Sequence, residues 1–368
     1  MGEWGAEVVK VELPNIGDQA RWLPIAPDDW RSAYFQACNR GKRSITVDLR
    51  SPDGREIFLR LAEAADVVLT NFKPGTMESW GLSYEEVADR NPRVVYAVGS
   101  TFGHRGRDAV REGADLSAQA SGGLISTTGV DGGDVTPLGA TIADHVASLN
   151  LVSGVLAALL ARARTGRGQR VETSLLGGQI WAQASEYTAC LLSGHVAGRA
   201  NRGNRLIPGL YGIFPTADGW IAVVGVAGQA RTKFYETVGR PELSDRFGQP
   251  LYWDAEKAEL FPILDEVFKT RPTAEWCDAL GAAGLRYAPV RDHAQVIADP
   301  AVWENGYLAK VEGPTGEISV VAAPVRFSDT PARSPAVAPE LGQHTEEILL
   351  ELGYSWDEIT ALRDASAV

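Results

Sequence analysis

The chain reads as an α/β protein in which a parallel sheet covered by helices is followed by a smaller α+β segment. Three observations predict this. Short β-type runs alternate with helical spacings over the first hundred residues. A long apolar helix follows a Gly-rich stretch, and the pattern changes character beyond residue 210.

AEVVKVE (6–12) is a strand candidate, and ITVDLR (45–50) is a second β-like run ending in Arg50. In DGREIFLRLAEAA (53–65), Ile57, Leu59, Leu61 and Ala62 show helical spacing. DVVLTNF (66–72) is a buried-type strand, LSYEEVADR (82–90) a short amphipathic helix, and RVVYAVGS (93–100) another strand. SGGLISTTGVDGGDVTPLGA (121–140) is too irregular for a regular element and too long for a plain connector, a length at which loops tend to carry function. The strongest helix is predicted from about Asp144 to Arg164, with Val146, Leu149, Val152, Val155, Leu156, Leu159 and Leu160 apolar, and Thr165-Gly166 stops it. HVAGRANRGNRLIPG (195–209) has no apolar period and reads as a linker. GWIAVVGV is then a strand, with helices at roughly 229–239, 255–269 and 273–283. Residues 306–327 read as two or three short strands, SDTPARSPAVAPELG (328–342) as a surface run, and the last segment as two helices.

Composition narrows the function. With 368 residues, 45% hydrophobic and 22% charged, the chain has material for a large core. A net charge of −12 opposes general binding to nucleic acid or anionic membranes, so an anionic ligand needs cations gathered locally. Cys38, Cys190 and Cys277 lie far apart without CxxC spacing and are expected as reduced, mostly buried thiols. No run of 18 or more apolar residues is visible, and MGEWGAEVVKVE has no signal-peptide pattern, so the expected location is cytoplasmic with no membrane span. GxGxxG after a strand, GxxxxGK[ST], GxSxG and HExxH are all missing, which weakens dehydrogenase, kinase, serine-hydrolase and zincin readings. No metal site is expected.

The residues that remain have two readings each. Asp144 at the start of the long helix is either an N-cap accepting free backbone N–H groups, or a carboxylate nucleophile kept ionised by them and by the helix dipole. Arg40, Lys42, Arg43 and Arg50, with Asn71-Phe72-Lys73 after the next strand, either bind phosphates and a base beyond the strand ends or form a solvated face with Phe72 in the core. Asp115 either caps its own short helix or faces the cleft, and His145 is a packing or surface histidine.

Taken in order, GAEVVKVE, NRGKRSITVDL, ADVVLTNFKPG, WGLSYEEV, NPRVVYA, ADLSAQASGG, IADHVASLNLVSGVLAALLARARTGRGQRVETSLL, FPTADGWIAV and LGQHTEEILLELGYSWDEI resemble the CaiB/BaiF, or family III, CoA-transferases over essentially the full length. The resemblance implies a Rossmann-like large domain from residues 1–195 and 305–368, a small α+β domain over 210–304, a linker at 196–209, and an interlocked homodimer. It implies Asp144 as the catalytic aspartate, and CoA contacts from Arg50, Asn71, Phe72, Lys73, and Gly113 to Asp115. CoA and acyl-CoA enter as substrates, with no permanently bound cofactor. Four departures stand out. Relatives carry a further strand and helix before GAEV, expected to supply the first strand of the sheet and part of the CoA site. Leu13 and Ser79 stand where many relatives have arginines, and Ala114 where transferases often have tyrosine and racemases histidine. A glycine-run flap is missing, with GNRLIPG its nearest counterpart. Ala114 offers no base to face Asp144 across a substrate α-carbon, which favours transferase over 2-methylacyl-CoA racemase. The remaining alternatives are an inactive CoA-binding protein and, with no fingerprint behind it, a dinucleotide dehydrogenase.

Overall fold

The computed structural model describes residues 1–200, 202–207, 209–226, 228–247, 254–313, 316–333 and 336–368. β1 (Val9–Glu12) and β2 (Arg43–Thr46) pair in parallel, with α1 (Ala33–Asn39) between them in the chain. α2 (Pro52–Ala64) starts on Ser51, whose hydroxyl accepts the Gly54 N–H, with proline in its first turn. β3 (Val67–Thr70), α3 (Thr76–Ser79), α4 (Tyr84–Arg90) and β4 (Val95–Ser100) follow, α4 opening on a Ser83/Glu86 capping box. After α5 (Asp115–Ser121) and α6 (Leu124–Thr127), the long α7 (Ile142–Thr165) leads through Gly166, in the left-handed conformation, to β5 (Gln169–Ser174). Gly168 passes so close to β4 that a Cβ there would stand 1.8 Å from the Val94 carbonyl oxygen, so no other residue fits.

Strands β3-β4-β5 form a second parallel sheet, separate from β1-β2, where one continuous sheet was expected. Every residue of β4 is buried. Tyr96 and Val98 pack with α2–α4 residues on one face, and Val95 and Ala97 with Leu151, Val155 and Ala158 of α7 on the other. That two-sided burial is why β4 reads as a continuous apolar run. α8 (Leu175–Ala182) and α9 (Ala184–Ser193) follow.

Residues 210–287 hold a core of their own. β6 (Leu210–Pro215), β7 (Trp220–Val226) and β8 (Tyr287–Pro289) form an antiparallel sheet, packed by α10 (Gln229–Thr237), α11 (Leu243–Arg246), α12 (Asp254–Phe268) and α13 (Thr273–Ala282) around Phe214, Phe268 and Trp276. After α14 (His293–Ile297) and α15 (Pro300–Glu304), the strand region resolves into one hairpin, β9 (Leu308–Gly313) and β10 (Gly316–Val321). α16 (Thr345–Glu351) and α17 (Trp356–Asp364) return to the start of the chain, placing Ile348, Leu349, Ile359 and Leu362 against Ile45, Val47 and Ile57.

Local differences from the sequence reading have physical causes. β2 ends at Thr46, and Arg50 lies beyond it on the turn before α2, where Asp48 caps the chain's change of direction by accepting the Arg50 N–H. α7 begins at Ile142, two residues before Asp144, because another segment supplies its cap. It is also long and apolar enough, by composition, to match a membrane span. Its inner stripe (Ala143, Ala147, Leu151, Val155, Ala158) is buried on the protein while Leu149, Leu156 and Leu160 are exposed. Cys38 is exposed and Cys190 and Cys277 are half-buried, Cys277 against the core of residues 210–287, so the thiols are less buried than expected. Asn201 and Pro208 of the linker, Pro208 also within GNRLIPG, lie outside the described residues, as do Ser334 and Pro335 of the Pro/Ala stretch.

Candidate active site

Asp144 is the third residue of α7, where backbone N–H groups have no partner within the helix. Those donors are taken by Asp115, 29 residues earlier. Its Oδ1 accepts the N–H of Ala143 at 2.7 Å and of Asp144 at 3.2 Å, while its Oδ2 accepts Gln119 Nε2 at 2.6 Å. Asp115 therefore caps neither its own helix nor an empty cleft. It caps α7. Asp144 consequently has its own carboxylate free of the capping role, which corrects the expectation that the helix N–H groups hold it ionised.

The Asp144 side chain instead accepts a hydrogen bond from the Tyr34 hydroxyl at 3.1 Å. Burial pushes its carboxyl above the ordinary range; the Tyr34 donor pulls back, the Asp115 charge adds to the rise, and His145 opposes it. His145 is exposed beside the site. Tyr34 stands on α1, which Ser32 caps by accepting the Phe35 N–H. Burial, then the neighbouring Asp144 charge, raises the Tyr34 phenol well above its ordinary value, so it stays a donor. Cys38 follows one turn later on the same helix face. Sequence reasoning missed Tyr34. The Ser32 cap and the Tyr34/Cys38 spacing were visible, but nothing in one chain pointed that face at Asp144.

The predicted CoA-contacting residues form a strip at the ends of the parallel strands. Asn71, Phe72 and Lys73 are exposed just past β3. Phe72 is 47% exposed and meets Trp80 edge to face at 5.2 Å, so it is not a core residue. Lys73 Nζ reaches Glu112 at 3.1 Å. The Gly113 carbonyl accepts from Thr101 Oγ1 at 3.0 Å, and a Cβ at Gly113 would stand 2.8 Å from Thr101 Cγ2 and 2.9 Å from the Phe102 ring. Any larger residue there would have to displace the Thr101 methyl and the Phe102 ring. Arg50 is exposed and pairs with Asp48 at 2.8 Å. The other sequence-marked cations are engaged elsewhere: Arg40 with Glu3, Arg43 with Glu347 and Glu351, Lys42 with the Asn39 amide oxygen.

The Gly-rich stretch beside Asp144 is held by Arg199, whose Nη1 donates to the carbonyls of Val130, Gly133 and Asp134. Among the described residues no three His, Cys, Asp or Glu side chains gather as a metal site.

A mixed α/β fold with parallel sheets, presenting one half-buried carboxylate at a helix mouth beside a strip of glycine, aromatic and cationic residues, is the class of an acyl-handling transferase. The family model described as "CoA-transferase family III" matches residues 1–345. A Homo sapiens protein named succinyl-CoA:glutarate CoA-transferase is 32% identical over 358 residues, 96% of this chain and 81% of the relative. A succinate–glutarate CoA-transferase of Agrobacterium fabrum is also 32% identical, over 96% of this chain and 90% of its own. Among solved structures, a CAIB/BAIF family protein from Brucella suis superposes with a TM-score of 0.82 at 33% identity, covering 95% of this chain and 92% of that one. The chain belongs to CoA-transferase family III.

Proposed function

We propose that the protein moves CoA from an acyl-CoA to a free carboxylic acid through covalent intermediates on Asp144. The observation that carries this reading is a desolvated carboxylate with one hydroxyl donor, its capping duty taken over by Asp115. A carboxylate that water solvates poorly is a stronger nucleophile. Asp144 attacks the donor thioester carbonyl, forming a mixed anhydride and expelling CoA thiolate. The thiolate attacks the aspartyl carbonyl, leaving an aspartyl-CoA thioester and releasing the donor acid. The acceptor carboxylate then repeats both steps in reverse, restoring Asp144. Each bond formed replaces one broken, so no redox agent or metal enters the balance.

Arg50, Asn71, Phe72, Lys73 and the Gly113–Asp115 turn hold the CoA, with Phe72 offering an exposed ring and Arg50 and Lys73 charge. The names of the relatives above pair succinyl-CoA or succinate with glutarate, which puts four- and five-carbon dicarboxylic acids first among acceptors to assay.

The rest of the reading is a cytoplasmic, interlocked homodimer of a large domain (1–195, 305–368) and a small one (210–304). The dimer part is supported by large apolar side chains that a monomer leaves uncovered: Trp181, Leu191 and Leu192, the last two 85% and 84% exposed, and Leu149 and Leu160 of α7.

The test is to incubate the protein with an acyl-CoA, digest it, and weigh the peptide containing Asp144. The expected result is acyl or CoA mass on that peptide, loss of transfer in Asp144→Ala, and CoA appearing on a second free acid. An unlabelled peptide with Asp144→Ala still fully active sinks the reading.

A further inference from the structure

Helix α5 carries a second polar side chain one turn beyond Asp115 and on the same face: Gln119, which is 1% exposed. Both ends of its amide are engaged. Oε1 accepts the Leu138 N–H at 3.0 Å, while Nε2 donates to the Ala140 carbonyl at 3.3 Å and to Asp115 Oδ2 at 2.6 Å. Two of these three partners are backbone groups whose polarity no side-chain rotation reverses, so the amide has one orientation. Turned round, it would set its oxygen against the Ala140 carbonyl and the Asp115 carboxylate, and its nitrogen against the Leu138 N–H. Gln119 therefore offers Asp115 a donor and never an acceptor.

The place of Gln119 is as fixed as its polarity. At Gly122, just past α5, a Cβ would stand 2.5 Å from Cβ of Gln179 on α8, and the Gly122 carbonyl accepts Gln183 Nε2 at 2.6 Å. Helix α8 in turn lies against α7 at Gly178, where a Cβ would stand 3.2 Å from Val146 Cγ1. Leu138 and Ala140 close the Gly-rich stretch just before α7, so the same amide ties the chain entering α7 to α5. The two oxygens of Asp115 are thus divided, Oδ1 to the N–H groups of α7 and Oδ2 to Gln119. A carboxylate free at Oδ2 could rotate, and its 3.2 Å contact with the Asp144 N–H has little length to spare.

We propose that Gln119 is a positioning residue of the transfer reaction: locked by Leu138 and Ala140, it holds the Asp115 carboxylate on the mouth of α7 and so sets where Asp144 stands. Gln119 acts on Asp144 only through Asp115. The inference rests on the transferase reading and adds to it a residue whose hydrogen bonds go to Asp115 and the backbone rather than to Asp144. A displacement of about 1 Å at a reacting group costs a rate on the order of a hundredfold, which is why such a support matters.

A reversal of polarity tests it. Gln119→Glu keeps the shape and the acceptor for Leu138 but sets a carboxylate oxygen against Asp115 Oδ2, so kcat is expected to fall about tenfold or more while KM for the acyl-CoA stays within about twofold. Asp115→Asn alone sets two amide nitrogens face to face. The double variant restores a donor–acceptor pair running the other way, the new amide donating to the new carboxylate, and is expected to recover about tenfold in kcat and to melt above either single variant. A native kcat in Gln119→Glu overturns the inference, as do losses that simply multiply in the double variant. Should Gln119→Glu fail to fold, Gln119→Met is compared in the native and Asp115→Asn backgrounds. A loss confined to the native background supports the coupling, and equal losses in both reject it. Failure of the transferase reading looks different: the native chain transfers no CoA and no adduct forms on Asp144, while the melting temperatures of the same variants still report whether residues 115 and 119 act together.

Discussion

Replacing Asp115 by asparagine separates the two aspartates at the mouth of α7. Asparagine keeps one carbonyl oxygen for the N–H groups of Ala143 and Asp144, but as a neutral acceptor. Its amide nitrogen then faces Gln119 Nε2, because Gln119 Oε1 is fixed by the Leu138 N–H and cannot turn round. One charge-assisted bond becomes a donor–donor contact and two others lose their charge. At about 1.5–3 kcal/mol for a bond to a charged group, discounted for the retained carbonyl, the expected loss of stability is about 2–3 kcal/mol. Urea unfolding followed by circular dichroism measures it. The second effect has a definite sign. Asp115 raises the Asp144 carboxyl, so removing its charge lowers it, and the acidic limb of the transfer rate moves to lower pH. A limb that stays put or moves upward in Asp115→Asn refutes the assignment of Asp115 as the charged cap beside the proposed nucleophile.

Tyr34→Phe is expected to do the reverse, since it removes the one donor that lowers the Asp144 carboxyl: the acidic limb moves to higher pH and transfer at neutral pH falls roughly tenfold or more, read by stopped assay. Glu12 accepts from Arg21, Ser44 Oγ and the Asp18 N–H; burial raises its carboxyl, but these bonds outweigh it and hold the carboxyl below 4.5. Its stabilisation is therefore present above pH 4.5 and lost as pH falls through the lowered value, and Glu12→Ala is expected to cost about 3–5 kcal/mol at pH 7, less in acid, measured by thermal melts across pH. Leu191→Lys with Leu192→Lys is expected to shift the sedimenting species to monomer, with an unchanged dimer counting against that surface as the interface.

The elements were legible wherever a period was imposed by burial on one face. β3, β4, α2, α4 and α12 fall within a residue or two of their predicted limits, because each presents a single stripe or a fully apolar run to a core. The start of α7 was not legible in the same way. Aspartate is a common capping residue, so the first aspartate near the helix start was the local choice, but the cap arrives from Asp115 and local pattern has no access to it. Tyr34 was hidden for the same reason, its partner standing 110 positions away. Nothing in the sequence singled out Arg55 or Trp80, and only the cavity where α2 begins brings them beside Arg50. What one chain displayed was the stretch past β3, since Phe72 lies where strand periodicity stops, whereas Gly113, well beyond the end of β4 at Ser100, was marked by the resemblance alone.

The two aspartates explain each other. A helix mouth offers a fixed set of free N–H donors, and a carboxylate that takes them is stabilised as an anion and blunted as a nucleophile. Had Asp144 capped its own helix, the feature that announces it in the sequence would have disarmed it. Asp115 takes the N–H groups of residues 143 and 144 instead, and its charge adds to burial in raising the carboxyl it frees. Asp144 is left with a single neutral donor, Tyr34, which orients one oxygen and leaves the other without a hydrogen bond among the described residues. A second carboxylate at this helix end is therefore a condition for the first to attack a thioester, and the pair, rather than Asp144 alone, is the unit on which the proposed chemistry depends.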